Sequence, residues 1–275
     1  MRILLTGRNG QVGWELERAL GALGDLVTTD RFALDLSDAV AISRLLREAK
    51  PDLIVNAAAY TAVDKAESER DLAMRVNGAG PGLLGEEAKR LGALLVHYST
   101  DYVFDGARRA PYIEADEPRP LSAYAESKLV GERAIQACGC RHLILRTSWV
   151  YGPRAANFYQ IIRRKADANE PMQMVDDQTS VPTTSAFLAS STLELLKADA
   201  TGLLHLVPSG AATRYEFAQE VVRRSGSKSS VEAVKTSRFP SPARRPAYSV
   251  LSNALAAKTL GKPLPDWKAL LDAVR

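Results

Sequence analysis

A tyrosine and a lysine four positions apart, Tyr124 and Lys128, are the pair in this chain best suited to moving a proton. On a helix that spacing sets both side chains on one face, a turn from each other. A phenol with an ordinary pKa of about 10 is a poor acid or base near neutrality. An ammonium held beside it favours the phenolate and brings the pair into useful range. Two solvated side chains are the alternative, since chance supplies this spacing in many helices. The functional reading requires that the chain upstream build a site for a hydride carrier.

The N-terminus begins such a site. Arg2-Ile3-Leu4-Leu5-Thr6 reads as a buried strand, Gly7-Arg8-Asn9-Gly10-Gln11-Val12-Gly13 follows, and Val12 to Leu23 has a helical apolar stripe. Gly7 permits the tight turn, Gly10 lets backbone approach a pyrophosphate, and Gly13 lets helix pack on strand. The glycine spacing is one residue longer than the more familiar dinucleotide fingerprint. A second strand, Leu26 to Thr29, ends in Asp30, which can accept bonds from an adenosine ribose and so favours NAD(H). Arg31 follows and could meet a 2′-phosphate instead, which leaves NADH and NADPH both open.

Asp35-Leu36-Ser37-Asp38 precedes a helix over Ala39 to Ala49, with Ser37 or Asp38 as its cap. Asp35 could cap or reach the adenine edge. Pro51 ends that helix, and Asp52 to Asn56 is the third strand, leaving through the small residues Ala57-Ala58-Ala59-Tyr60-Thr61. Asp64 to Ala73 is helix-compatible, and Asn77 either caps the next helix or bonds within a site. Leu94 to Tyr98 is strand four, with His97 as a packed core imidazole. It ends in Ser99-Thr100-Asp101, and a hydroxyl at Thr100 can bond a substrate carbonyl. After a proline- and charge-rich loop, Tyr124 and Lys128 open a long helix to about Ala137, and His142 to Thr147 is strand five.

This alternation predicts an α/β fold, a doubly wound parallel sheet of Rossmann type. Beyond Trp149 the periodicity weakens. Helices are expected over residues 158–168, 184–197, 252–260 and 266–274, with short strands at 172–175, 202–206 and 231–234. The expected division is an NAD(P)-binding domain over residues 1–150, with later segments returning to the sheet, and a smaller mixed domain over 151–275 that mainly binds substrate.

The 275 residues, 46% apolar and 25% charged, fit a globular protein. The net charge of +4 is spread without a basic block, which argues against nucleic acid. Cys138 and Cys140 lack the second half of a zinc site and are too close in sequence for ordinary pairing, so reduced thiols and a cytoplasmic location are expected. No stretch has the length of a membrane span or the pattern of a leader, so no membrane partner is expected.

Thr100, Tyr124 and Lys128, with the N-terminal glycine turn, match the pattern of short-chain dehydrogenases. The resemblance narrows over four segments: Thr6 to Leu16, Val55 to Glu67, His97 to Phe104 and Arg146 to Tyr151 each look like dTDP-4-dehydrorhamnose reductase, an extended member of that superfamily. The resemblance implies hydride transfer from NADPH or NADH to C4 of dTDP-4-dehydro-L-rhamnose, giving the donor for bacterial cell-surface glycans. Tyr124 would donate the proton, Lys128 would hold the nicotinamide ribose and keep the Tyr124 pKa low, and Thr100 would orient the carbonyl. Gly10, Gln11 and Val12 would line the pyrophosphate, Asp30, Asp35 and Leu36 the adenosine, and Ala59, Tyr60, Thr61 and Tyr98 the rest of the cofactor. Asp101 and Trp149 match substrate-contacting positions. Arg245, in an arginine-proline segment, is a further candidate for the nucleotide diphosphate.

Some members bind Mg²⁺ between subunits through glutamates. Glu15 is in place, but Ala186 stands where a second glutamate would be, and no third acid is evident after Trp267. No metal is therefore expected, and any homodimer should lack that bridge. Two rivals remain. A nucleotide-sugar dehydratase usually has Asp-Glu after the catalytic threonine, whereas Tyr102 follows Asp101 here; an epimerase is not separated by motifs. A non-catalytic nucleotide-binding homologue commonly loses part of the tyrosine-lysine pair, and both residues are present.

Overall fold

A computed structural model describes residues 1–274. The first half runs β1 (Arg2–Thr6), α1 (Gln11–Leu20), β2 (Asp25–Thr29), α2 (Ala39–Ala49), β3 (Leu53–Asn56), α3 (Arg70–Met74), α4 (Gly80–Leu91), β4 (Leu94–Thr100), α5 (Ala123–Cys138) and β5 (His142–Thr147). The second half adds β6 (Val150–Tyr151), α6 (Phe158–Asp167), β7 (Met172–Val175), β8 (Thr179–Ser180), β9 (Thr183–Thr184), α7 (Ser185–Lys197), β10 (Gly202–His205), β11 (Ala212–Thr213), α8 (Arg214–Ser225), β12 (Val231–Val234), α9 (Ala254–Leu260) and α10 (Trp267–Leu271).

Six parallel strands form the central sheet in the order β10-β5-β4-β3-β1-β2. Alternate residues of each strand face opposite helical layers. Ile3, Leu5, Val55, Val96 and Leu145 pack with Leu16 and Leu20 of α1 and Leu188 and Leu195 of α7. Leu4, Ile54, Leu95 and Ile144 pack with Ile42, Leu46, Leu84 and Ile135 of α2, α4 and α5. Burying each such aliphatic side chain contributes about 1.5–3 kcal/mol, and cover on both faces is why these strands read as continuous apolar runs.

Local chemistry sets the helix ends. The carboxylate of Asp38 accepts from the Val40 and Ala41 amides and caps α2, while Asp35 instead binds the amide and hydroxyl of Ser37. Ser122 caps α5, and Gly139, at φ 72°, stops it. Three expected helices are shorter than the periodicity suggested. α1 stops at Leu20 before Gly21, the 64–73 segment divides into a 3₁₀ turn (Lys65–Glu67) and α3, and the last helix contracts to α10.

The second lobe is held by a separate aromatic core, in which Phe217 packs against Tyr151, Phe158 and Trp267. Within it β7 and β12 pair in parallel. Val103, Phe104, Tyr112, Leu129, Val181 and Leu251 form a smaller core joining the lobes beneath the site.

Candidate active site

β1 is flanked by β2 on one side and β3 on the other, so the chain changes direction across the sheet there, and a groove of ≈ 510 Å³ opens at the strands' carboxyl ends. Its floor is glycine by necessity. A Cβ on Gly7, at φ 75°, would lie 2.7 Å from Ala58 N, and one on Gly13 would lie 2.1 Å from Gly7 O. Gly10 begins α1 with no side-chain cap, leaving the first amides of that helix for an anion. Gly7, Gly10, Gln11, Val12, Asp30, Asp35, Leu36, Ala59, Tyr60, Thr61, Tyr98, Tyr124 and Lys128 all line this groove.

Asp30 accepts from the Phe32 and Ala33 amides and from Asn9 Nδ2. The Ala33 amide contributes most to holding its pKa below the ordinary carboxylate range. Arg31 reaches Asp35 only at 3.9 Å, with its side chain 74% exposed. Asn77 lies buried in a π-helical turn (Arg75–Ala79), accepts from Tyr60 N, and donates to Tyr60 O and Ser127 Oγ. Of its two sequence readings, bonding beside the site is the one realised. It ties the groove wall to the helix that carries Tyr124.

Tyr124 lies where the groove meets a second cavity of ≈ 350 Å³, lined also by Thr100, Asp101, Tyr102, Trp149, Phe158 and Arg214. Thr100 Oγ1 accepts from the Tyr102 amide and donates to Asp101 Oδ1 at 3.2 Å. Asp101 Oδ2 accepts from Ser180 Oγ at 2.9 Å and from Ser249 Oγ. Burial pushes the Asp101 pKa up to about 6 against those three hydroxyl donors. Trp149 adopts φ 39°, a left-handed conformation uncommon for a bulky residue, and its ring lies 4.4 Å from the Arg214 guanidinium carbon.

Lys128 differs from expectation. Its Nζ donates to Tyr98 O at 2.7 Å and meets His97 Nε2 at 3.1 Å. Burial pushes its pKa down to about 8, with Glu132 opposing. The Tyr124 pKa is raised, not lowered: burial dominates, and the neighbouring Thr100 hydroxyl offsets it only in part. The lysine therefore does not acidify the phenol in this arrangement, because its amine is turned into the protein.

Tyr98 lines the groove while its hydroxyl pairs with Thr192 Oγ1 at 2.6 Å. Arg245 forms a two-point ion pair with Asp64, at 3.0 and 2.7 Å, beside an outer cavity that Phe158 and Arg214 also line. Glu15 is half-buried, with a pKa raised by burial, and no cluster of three or more His, Cys, Asp or Glu suited to a metal occurs among the described residues.

Sequence reasoning missed Arg214, Ser180 and Ser249. They reach the site from three separated segments, and the sequence carries no local signal for that convergence. A nicotinamide dinucleotide fits what is present. The glycine cradle has no room for side chains, and the buried hydroxyls of Ser99 and Thr147 line the groove without a partner among the described residues.

The comparisons agree with this geometry. The family model described as RmlD substrate binding domain matches residues 1–274. A dTDP-4-dehydrorhamnose reductase of Burkholderia thailandensis is 43% identical over 285 residues, covering 98% of this chain and 96% of the relative. Among solved structures, a dTDP-4-dehydrorhamnose reductase from Clostridium acetobutylicum aligns with a TM-score of 0.95 at 38% identity, covering 99% of this chain and 98% of that one. One from Bacillus anthracis, in complex with NADP, aligns with a TM-score of 0.95 at 33% identity, covering 99% and 97%.

Proposed function

The chain belongs to the dTDP-4-dehydrorhamnose reductase family, and from that premise we propose how its own residues carry out the NAD(P)H-dependent reduction of the C4 ketone of dTDP-4-dehydro-L-rhamnose. The observation that carries the reading is the position of Tyr124 where the glycine-floored groove meets the Trp149 cavity, with Thr100 lining that cavity beside it.

Bound in the groove, the nicotinamide supplies hydride to the sugar carbon. Gly10, Gln11 and Val12 line the pyrophosphate on a turn that Gly7 and Gly13 keep close to the sheet, and Asp30, Asp35 and Leu36 hold the adenosine. Ala59, Tyr60, Thr61 and Tyr98 complete the groove. Thr100 aligns the ketone oxygen, and Tyr124 gives its proton to that oxygen as negative charge develops. Burial alone leaves Tyr124 protonated but a weak acid, so its proton transfer depends on a nearby positive charge to stabilise the phenolate. Lys128 holds the nicotinamide ribose and, once charged, steadies the phenolate left behind. Trp149 and Asp101 hold the sugar, and Arg245 reaches the diphosphate.

The second half of the chain serves mainly the substrate, closing the Trp149 cavity with Tyr151, Phe158, Pro182, Arg214 and Phe217. Any homodimer lacks a Glu15-centred Mg²⁺ bridge, since Ala186 removes one carboxylate. A cytoplasmic place for the reaction is supported by the two free cysteines. The test follows loss of NAD(P)H absorbance with dTDP-4-dehydro-L-rhamnose against other 4-keto nucleotide sugars. Consumption of free cofactor with this substrate is expected. A purified protein that retains NAD and never consumes free NAD(P)H would instead be an epimerase.

A further inference from the structure

Asn56, His97 and Lys128 form a buried line from β3 through β4 to α5, and its hydrogen-bond roles can be assigned from one end. Asn56 Oδ1 accepts from the backbone N–H of Ala58 at 3.2 Å and from Thr6 Oγ1 at 2.7 Å. A backbone N–H can only donate, so the amide oxygen must lie on that side and the NH₂ must face His97 Nδ1, 3.0 Å away. Nδ1 is then an acceptor, and a neutral imidazole carries its proton on Nε2. Nε2 lies 3.1 Å from Lys128 Nζ. An ammonium has no lone pair to receive that proton, whereas an amine does. Lys128 can still donate to Tyr98 O as an amine.

We propose that His97, oriented by Asn56, is a positioning residue that favours the uncharged amine of Lys128 in the cofactor-free enzyme, so that in alkaline solution cofactor binding draws one proton onto Lys128. The inference rests on reading the groove as the nicotinamide cofactor's site. Ribose hydroxyls there offer acceptors that stabilise an ammonium and release it from His97, the proton coming from the buffer.

The surroundings agree. β4 presents His97 and the Tyr98 carbonyl, while α5 presents Tyr124 one turn before Lys128 and Glu132 one turn after. Arg146 of β5 neutralises Glu132. Asp101 lies beyond Tyr124, bonded to three hydroxyls, and β3 and the π-helical turn contribute the neutral Asn56 and Asn77. Burial lowers both the His97 and the Lys128 pKa, the latter to about 8.

The test is calorimetric titration with NADPH near pH 9, in two buffers of different ionisation enthalpy. Uptake approaching one proton is expected near pH 9 and little below pH 7, with affinity falling up to about tenfold per pH unit between. In His97→Gln the amide can turn its oxygen to the ammonium, and in Asn56→Asp a carboxylate reverses the imidazole tautomer. Either change should abolish uptake at pH 9 while NADPH still binds, and melting temperatures identify a variant that has lost its fold. NADPH binding with no proton uptake by the wild type, or equal uptake in Lys128→Met, would overturn the inference alone. Failure of the wild type to bind NADPH would instead remove the functional reading beneath it.

Discussion

Glu132 and Arg146 form a buried two-point ion pair that fastens the helix of Tyr124 and Lys128 to the sheet. Arg146 Nε lies 3.0 Å from Oε1 and Nη2 lies 2.6 Å from Oε2, with both side chains at most 4% exposed. The guanidinium carbon also sits 5.2 Å from the Phe104 ring. Glu132→Ala leaves a buried cation without its counter-charge, a change that typically costs about 3–5 kcal/mol. The urea unfolding midpoint should fall accordingly, and adding Arg146→Met should restore much of the loss. A midpoint unchanged by Glu132→Ala would mean that the pair does not anchor α5.

Tyr124→Phe keeps the ring, including its edge-to-face contact with Tyr102, and removes only the hydroxyl. Turnover should fall by about 10²-fold or more, the scale of a lost general acid, while the Kd for NADPH stays within about twofold. Equal kcat in the variant would assign the proton to another group.

How far the chain could be read depended on whether the information was local. The central strands and α5 were legible because apolar runs, glycines and caps act on their neighbours. Gly7 and Gly13 were legible for the same reason, since a tight turn and a close helix–strand contact are demands on adjacent backbone. The state of Lys128 was not, because it depends on His97 and Asn56 of two other strands. Nor was the enclosure of Asp101, whose donors Ser180 and Ser249 arrive from the second half of the chain. Side-chain type marks what chemistry is available, but protonation state is set by whatever tertiary packing brings near.

Asp101 should make stability depend on pH in the direction opposite to a salt-bridged acid. Its folded pKa is pushed up to about 6, against an ordinary 3.8. Between those values the folded protein holds a proton that the unfolded chain releases, so this group's contribution is full below about pH 4 and is lost as pH rises through 6. The loss is bounded at about 3 kcal/mol. Asp101→Asn should flatten this part of the profile, and urea titrations at pH 4.5 and 7 measure it. An Asn variant with the wild-type pH slope would show that Asp101 titrates normally.

Asp30 and Arg31 set opposite charges at the adenosine end of the groove, and the choice between NADH and NADPH should turn on their balance. Asp30 is held ionised by two backbone amides and Asn9, so it welcomes ribose hydroxyls and repels a 2′-phosphate. Arg31 has only a long contact to Asp35 and is free to turn toward such a phosphate. Asp30→Asn should move the ratio of kcat/KM for NADPH over NADH upward by about tenfold, roughly 1.4 kcal/mol. Arg31→Ala should move it down by a similar factor, and initial rates with each cofactor give the ratio. If both variants kept the wild-type ratio, the adenosine would lie away from these two side chains, and the discrimination would have to come from elsewhere in the groove.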